Sequence, residues 1–246
     1  MVKCVNCGNE SDGKYCPACG EKMKFVRLNV RTLFYDKLHD VTHWENTVLY
    51  TLKNLVLYPG LTVKNYINGA KKNIVKPFRY FLSVTSVHII LFRWLSIRFF
   101  NYYAVSSGEF TGDALNREKE IYSILNSKLN YFEFLFPLFF SIFFYLMYRK
   151  KSGVNYAESL TAAFYWTGTM MGLAIIAIFM SFIDIRLWYA GSVIDGLYLL
   201  YATLQFTGSA KFSDFVRSIL FIVLSYAAFI LVTTLITDFY LEYVPK

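Results

Sequence analysis

No cysteine occurs after Cys19, and the first nineteen residues hold all four in the chain. A disulfide framework spread through the fold is excluded, and thiol chemistry is confined to one small N-terminal module. Charge is scarce as well: 17 % of the residues are charged, against 56 % hydrophobic and 20 % aromatic. With a mean hydropathy of +0.38, that balance argues against a soluble globule and for a bilayer protein. Missing too are a phosphate-cradling glycine loop, a Gly-x-Ser-x-Gly elbow, a His-Glu-x-x-His helix and paired inward carboxylates of the di-metal type. No residue is therefore nominated as catalytic, and the balance leans against an enzyme while leaving that question open. There is also no internal repeat like the inverted halves of many transporters.

What is present begins with Cys4-Val5-Asn6-Cys7-Gly8 and Cys16-Pro17-Ala18-Cys19-Gly20. Each knuckle puts two thiolates on a tight turn whose glycine tolerates a left-handed backbone, so that amide N–H groups point at sulfur. Cys4, Cys7, Cys16 and Cys19 are the candidate metal ligands. Zinc is the favoured ion, with mononuclear iron or two disulfides as the alternatives. Four sulfurs close the coordination shell, so Zn2+ would be structural, and metal binding would supply the folding free energy of a segment too short for a core. Thiolates require a reducing compartment and no signal peptide precedes them, so the N-terminus is expected in the cytoplasm.

The predicted fold is an all-α membrane helical bundle of about five transmembrane helices with a small N-terminal zinc ribbon and amphipathic juxtamembrane helices. Its parts are the ribbon (1–21), amphipathic interfacial helices (22–79) and the transmembrane bundle (80–246). The expected crossings are 80–103, 132–148, 160–183, 188–206 and 219–240, each of a length that spans a hydrocarbon core. Residues 1–79 carry 13 Lys and Arg against 6 Asp and Glu, whereas 104–130 carry 3 against 4. The positive-inside bias then places the N-terminus inside and the C-terminus outside a multi-pass cytoplasmic (inner) membrane protein. Arg149, Lys150 and Lys151 fall on the inner side under the same arrangement.

Between ribbon and bundle, Val30, Leu33, Phe34, Leu38, Val41 and Trp44 share one helical stripe. The opposite face holds Asp36, His39, Asp40 and His43, a candidate second metal or polar site, since imidazoles four apart on a helix can share an ion. The stripe can lie on the inner leaflet or pack on the bundle. Lys71, Lys72, Lys76 and Arg79 suit anionic inner-leaflet lipids. The net charge of +8 follows these juxtamembrane segments, which argues against a nucleic-acid partner. Breaks are expected at Pro59-Gly60, Asn68-Gly69 and Lys76-Pro77.

The ordered series of the CxxCG pair, His43-Trp44, Leu49-Tyr50-Thr51-Leu52, Tyr58-Pro59-Gly60, Tyr66-Ile67-x-Gly69, Lys76-Pro77-Phe78-x-Tyr80 and Asn155-Tyr156-Ala157-Glu158 resembles the bacterial zinc-ribbon membrane family catalogued as domain of unknown function 3667. The resemblance covers most of the chain and implies a zinc-ribbon integral membrane protein, with no catalytic residues to carry over. Gly69-Ala70-Lys71 departs from the Gly-Lys-Arg-like run expected there, which weakens the case for an anion site at that turn.

Ionisable residues inside the apolar stretches are costly, about 2.5–3.5 kcal/mol each at the bilayer centre, and so mark function or register. They are His88, Arg93, Glu133, Glu158 and Asp195, a candidate intramembrane polar site, with Arg93 and Asp195 as the expected ion pair. Gly168 and Gly172 offer a close-packing face, within the bundle or to a second copy as a homo-oligomer. The functional expectation is a scaffold or adaptor that recruits a protein partner through its cytoplasmic ribbon. A component of a transporter or channel for a small solute or lipid is the alternative, and a membrane-embedded enzyme the second.

Overall fold

The computed structural model describes residues 2–23, 27–30, 33, 44–106, 132–181, 183–184, 187–209 and 211–243. A two-stranded antiparallel ribbon, β1 (Val2–Lys3) and β2 (Glu10–Ser11), precedes seven helices among the described residues. These are α1 (Trp44–Leu57), α2 (Pro59–Ile67), α3 (Pro77–Ser106), α4 (Phe136–Ser152), α5 (Tyr156–Met180), α6 (Leu187–Thr207) and α7 (Phe212–Tyr243).

Local chemistry sets the helix ends. Pro59 and Pro77 open α2 and α3, where a missing N–H costs nothing. The α4 helix stops at Gly153, whose φ of 66° lets its N–H reach the Arg149 carbonyl. Two residues on, Asn155 caps α5: its side chain accepts from the Glu158 N–H at 2.9 Å, and Glu158 accepts from the Asn155 N–H at 2.8 Å.

At the centre lies α5, buried at every position from Ala157 to Met170. A helix apolar all round belongs inside a bundle, and α3, α4 and α6 pack around it, with α7 against α4 and α6. Trp166 is wholly buried and meets Phe140, Phe144 and Phe206 edge-on. The hydroxyls of Ser159, Thr161, Thr167 and Thr169 bond back to carbonyls one turn earlier, which satisfies them in an apolar setting.

Residues 44–67 belong to this packed body. Leu55 and Val63 are fully buried, and α2 lies on α6. The approach is so close that a Cβ at Gly60 would sit 2.2 Å from the Phe206 nitrogen and 2.4 Å from the Ala202 oxygen. Gly168 and Gly172 are likewise used within the chain: a Cβ at Gly168 would meet the Phe81 Cα at 3.1 Å, and one at Gly172 would meet Leu52 at 3.2 Å. That close-packing face is already covered by α1 and α3.

All five stretches expected to cross a membrane contain a helix. Among the described residues, two segments are long and apolar enough to cross by length and composition, Tyr156–Met180 and Phe212–Ile236. Of the about five crossings expected, these two are supported by length and composition among the described residues. Of the others, α4 has 17 residues and ends in Arg149, Lys150 and Lys151, and α6 holds Asp195 among polar-tipped aromatics.

Candidate metal centre

The two knuckles fold alike. Gly8 and Gly20 adopt φ of +77° and +74°, and their N–H groups return to the Cys4 and Cys16 carbonyls at 2.9 and 2.8 Å. The Cys4 N–H reaches Asn9 and the Cys16 N–H reaches the Glu21 carbonyl, both at 2.8 Å. These bonds bring the four sulfur atoms within 4.8 Å of one another. Cys4 and Cys19 sulfurs are 3.6 Å apart, and Cys7 and Cys16 sulfurs 3.5 Å. A disulfide would need about 2.05 Å. Tetrahedral metal–sulfur bonds of about 2.3 Å give sulfur–sulfur edges of about 3.8 Å, which fits these spacings.

Electrostatics agree. Burial pushes the Cys16 thiol up, but N–H groups of Cys19 and Ala18 outweigh it and bring its pKa down to about 6. Cys19 is lowered as well, chiefly by the Glu21 N–H and the Asn6 side chain. At Cys7 the Asn9 N–H favours the thiolate, yet the Cys19 and Cys16 sulfurs outweigh it and push the thiol up to about 12. Four sulfurs this close shed all their protons only with a cation among them, so the donor set fits a metal ion.

The ribbon is mounted on the helices by two polar contacts. Glu21, 8 % exposed, accepts from the backbone N–H groups of Lys71 at 2.9 Å and Lys72 at 2.7 Å. The turn at 71–72 thus binds an anion after all, a carboxylate of the same chain. Beyond the ribbon, Arg27 forks onto Glu158 through Nε at 2.8 Å and Nη2 at 3.0 Å, and Nη2 also reaches the Gly153 carbonyl at 2.6 Å. The Asn155 side chain donates to the Leu28 carbonyl at 3.0 Å. The Arg27 side chain is half-exposed, so solvent discounts the ion pair and the cap is the larger part. Glu158→Ala is expected to lower stability by about 1–2 kcal/mol, and Asn155→Ala by about 1 kcal/mol. Thermal unfolding in detergent checks both, and an unchanged midpoint would remove the cap from the account.

Asp36, His39, Asp40 and His43 lie outside the described residues. Of the intramembrane candidates, the structure brings together His88 and Glu133, with His88 Nδ1 3.2 Å from Glu133 Oε2. Asp195, in α6, is within electrostatic reach of His88. Arg93 is exposed, and among the described residues the ion pair of this region joins His88 to Glu133 rather than Arg93 to Asp195. The Nε2 of His88 and the Oγ1 of Thr85, one turn apart on α3, are buried without a hydrogen-bond partner among the described residues. Glu158 stands apart at the start of α5, held by Arg27.

Sequence reasoning missed Glu21, Arg27 and Asp214, which pairs with Lys151. The one available signal for Glu21 is an acid directly behind a Cys-Gly knuckle in an otherwise basic segment.

A helical chain with two candidate membrane spans and an N-terminal four-cysteine cluster is the class of protein these observations define. Residues 45–88, from α1 to His88, match the family described as "Protein of unknown function (DUF3667)", the family that the motif series resembles. Neither a curated protein nor a solved structure matches the chain.

Proposed function

We propose that this is a multi-pass protein of the bacterial cytoplasmic membrane whose N-terminal ribbon holds structural zinc in the cytoplasm and recruits a protein partner to the membrane surface. The observation that carries this reading is the four-sulfur cluster seated on the helical body by Glu21. A closed thiolate shell leaves no position for a substrate. It serves shape, and the shape leaves Val2, Val5 and Tyr15 about half-exposed on the ribbon, apolar side chains of the kind that anchor interfaces.

Membrane residence is supported by outward rows of large apolar side chains: Ile90 on α3, Ile142 and Leu146 on α4, Val193 and Leu197 on α6, and Val223, Ile230 and Leu231 on α7. Five helices would then cross the bilayer, with Arg149, Lys150, Lys151, Lys211 and Arg217 at the inner, anionic leaflet.

The test is proximity labelling from the N-terminus in cells, comparing the intact chain with a Cys4→Ser/Cys7→Ser double variant at equal membrane abundance. A discrete set of neighbours lost in the variant is expected; identical neighbours would sink the adaptor reading. The Nε2 of His88, without a partner among the described residues and beside Glu133, with Asp195 within reach, favours a second reading, passage of a small solute through a polar path. Under it, His88→Ala or Asp195→Asn abolishes the cellular phenotype while the double cysteine variant retains it.

A further inference from the structure

We propose that Glu21 is a latch that transmits metal occupancy of the cysteine centre to the turn leading into α3. The inference rests on the reading that the four cysteines hold a metal ion. Its path is short. The main chain of Glu21 belongs to the second knuckle, because its carbonyl accepts the Cys16 N–H at 2.8 Å directly after Gly20 closes back on Cys16. The side chain of the same residue leaves the knuckle and supplies the acceptor for the Lys71 and Lys72 amides at 2.9 and 2.7 Å.

From its other side that turn is tied to the core. The Val75 N–H donates to Thr51 Oγ1 at 3.0 Å, and the Val75 carbonyl accepts from the Tyr165 hydroxyl at 2.6 Å. Tyr165 is wholly buried in α5, and Pro77 opens α3 two residues later. A knuckle with no core of its own keeps its shape through the metal. When the ion leaves, the Glu21 carboxylate loses its fixed position, and two amides in a partly exposed turn lose a charged acceptor. The Thr51 and Tyr165 bonds do not depend on the knuckle, so the effect stops at Val75.

Residue-resolved hydrogen exchange on the full chain in detergent tests this, with zinc content measured first. In zinc-loaded protein the Lys71 and Lys72 amides are expected to exchange at least about tenfold more slowly than after chelation, while Val75 is unchanged. Glu21→Ala is expected to bind the same zinc yet exchange fast at 71 and 72 with or without chelator. Zinc bound but exchange at 71 and 72 indifferent to chelator overturns the latch. So does Glu21→Ala protection equal to that of the parent, or Val75 speeding up in step with its neighbours. Protein that takes up no zinc overturns the metal reading and the latch together, and the content measurement tells that failure from the others.

Discussion

Chains carrying Cys16→Ser are expected to purify without bound metal, against one ion per intact chain, and to lose the fold of the ribbon. Cys16 is 2 % exposed, its sulfur sits 3.5 Å from that of Cys7, and its N–H closes the second knuckle onto Glu21. Structural zinc contributes about 10–16 kcal/mol in small thiolate modules, as much as the whole stability of a typical domain. Local packing among the described residues is small, a buried cluster of Cys4, Cys16 and Met23 with Cys19 against it. Metal analysis and limited proteolysis at Lys14 and Lys22 report the change. The helices should keep their circular dichroism, since α5 and its neighbours do not depend on the ribbon for burial. The same centre should release metal as pH falls. Cys16, near 6, offers a thiolate at neutral pH, whereas Cys7, near 12, must surrender its proton to the ion. Protons therefore compete, and affinity rises with pH through the neutral range.

Gly60→Ala is the other substitution with a large expected effect. The added methyl would meet main-chain atoms of α6 at 2.2, 2.4 and 2.7 Å, and a backbone cannot swing aside as a side-chain tip can. The α2 helix must separate from α6, which disturbs Val63, Tyr66 and Phe206, all buried. Overpacking of this kind costs about 3 kcal/mol or more. Gly196→Ala, on the same partner helix with nothing within 4 Å of the new Cβ, is the matched control; helix propensity predicts a gain of up to about 1 kcal/mol there. Thermal unfolding of both in one detergent decides the matter, and equal midpoints would mean that α2 and α6 are not in such close contact.

The four-cysteine cluster was legible in the sequence because its chemistry is local: two Cys-x-x-Cys-Gly turns need little beyond their own residues to define a four-sulfur site. The punctuation of 44–77 was legible for the same reason, since Pro59, Gly69 and Pro77 act on their own backbone. Crossing number was legible only in part: among the described residues Tyr156–Met180 and Phe212–Ile236 are long and apolar enough to cross, whereas α4 has 17 residues and α6 carries Asp195. Pairings between distant segments were also hidden. Arg93 and Asp195 suggested each other by sign and depth, whereas the fold sets His88 against Glu133, 45 residues away. Nothing in the local pattern of Arg27 points to Glu158, 131 residues on. Gly60 read as a turn former, and only the packed helices reveal that its missing methyl is what α6 needs.

With its Glu21 carboxylate resting on two amides, the ribbon is a fixed fitting rather than a bead on a string, and Val5 and Tyr15 hold a set bearing toward whatever approaches. Ordering a free linker costs about 1–2 kcal/mol for every residue frozen, a toll that erodes the affinity of any small epitope. Here that ordering is completed during folding, so under the proposed adaptor role a modest contact area would suffice.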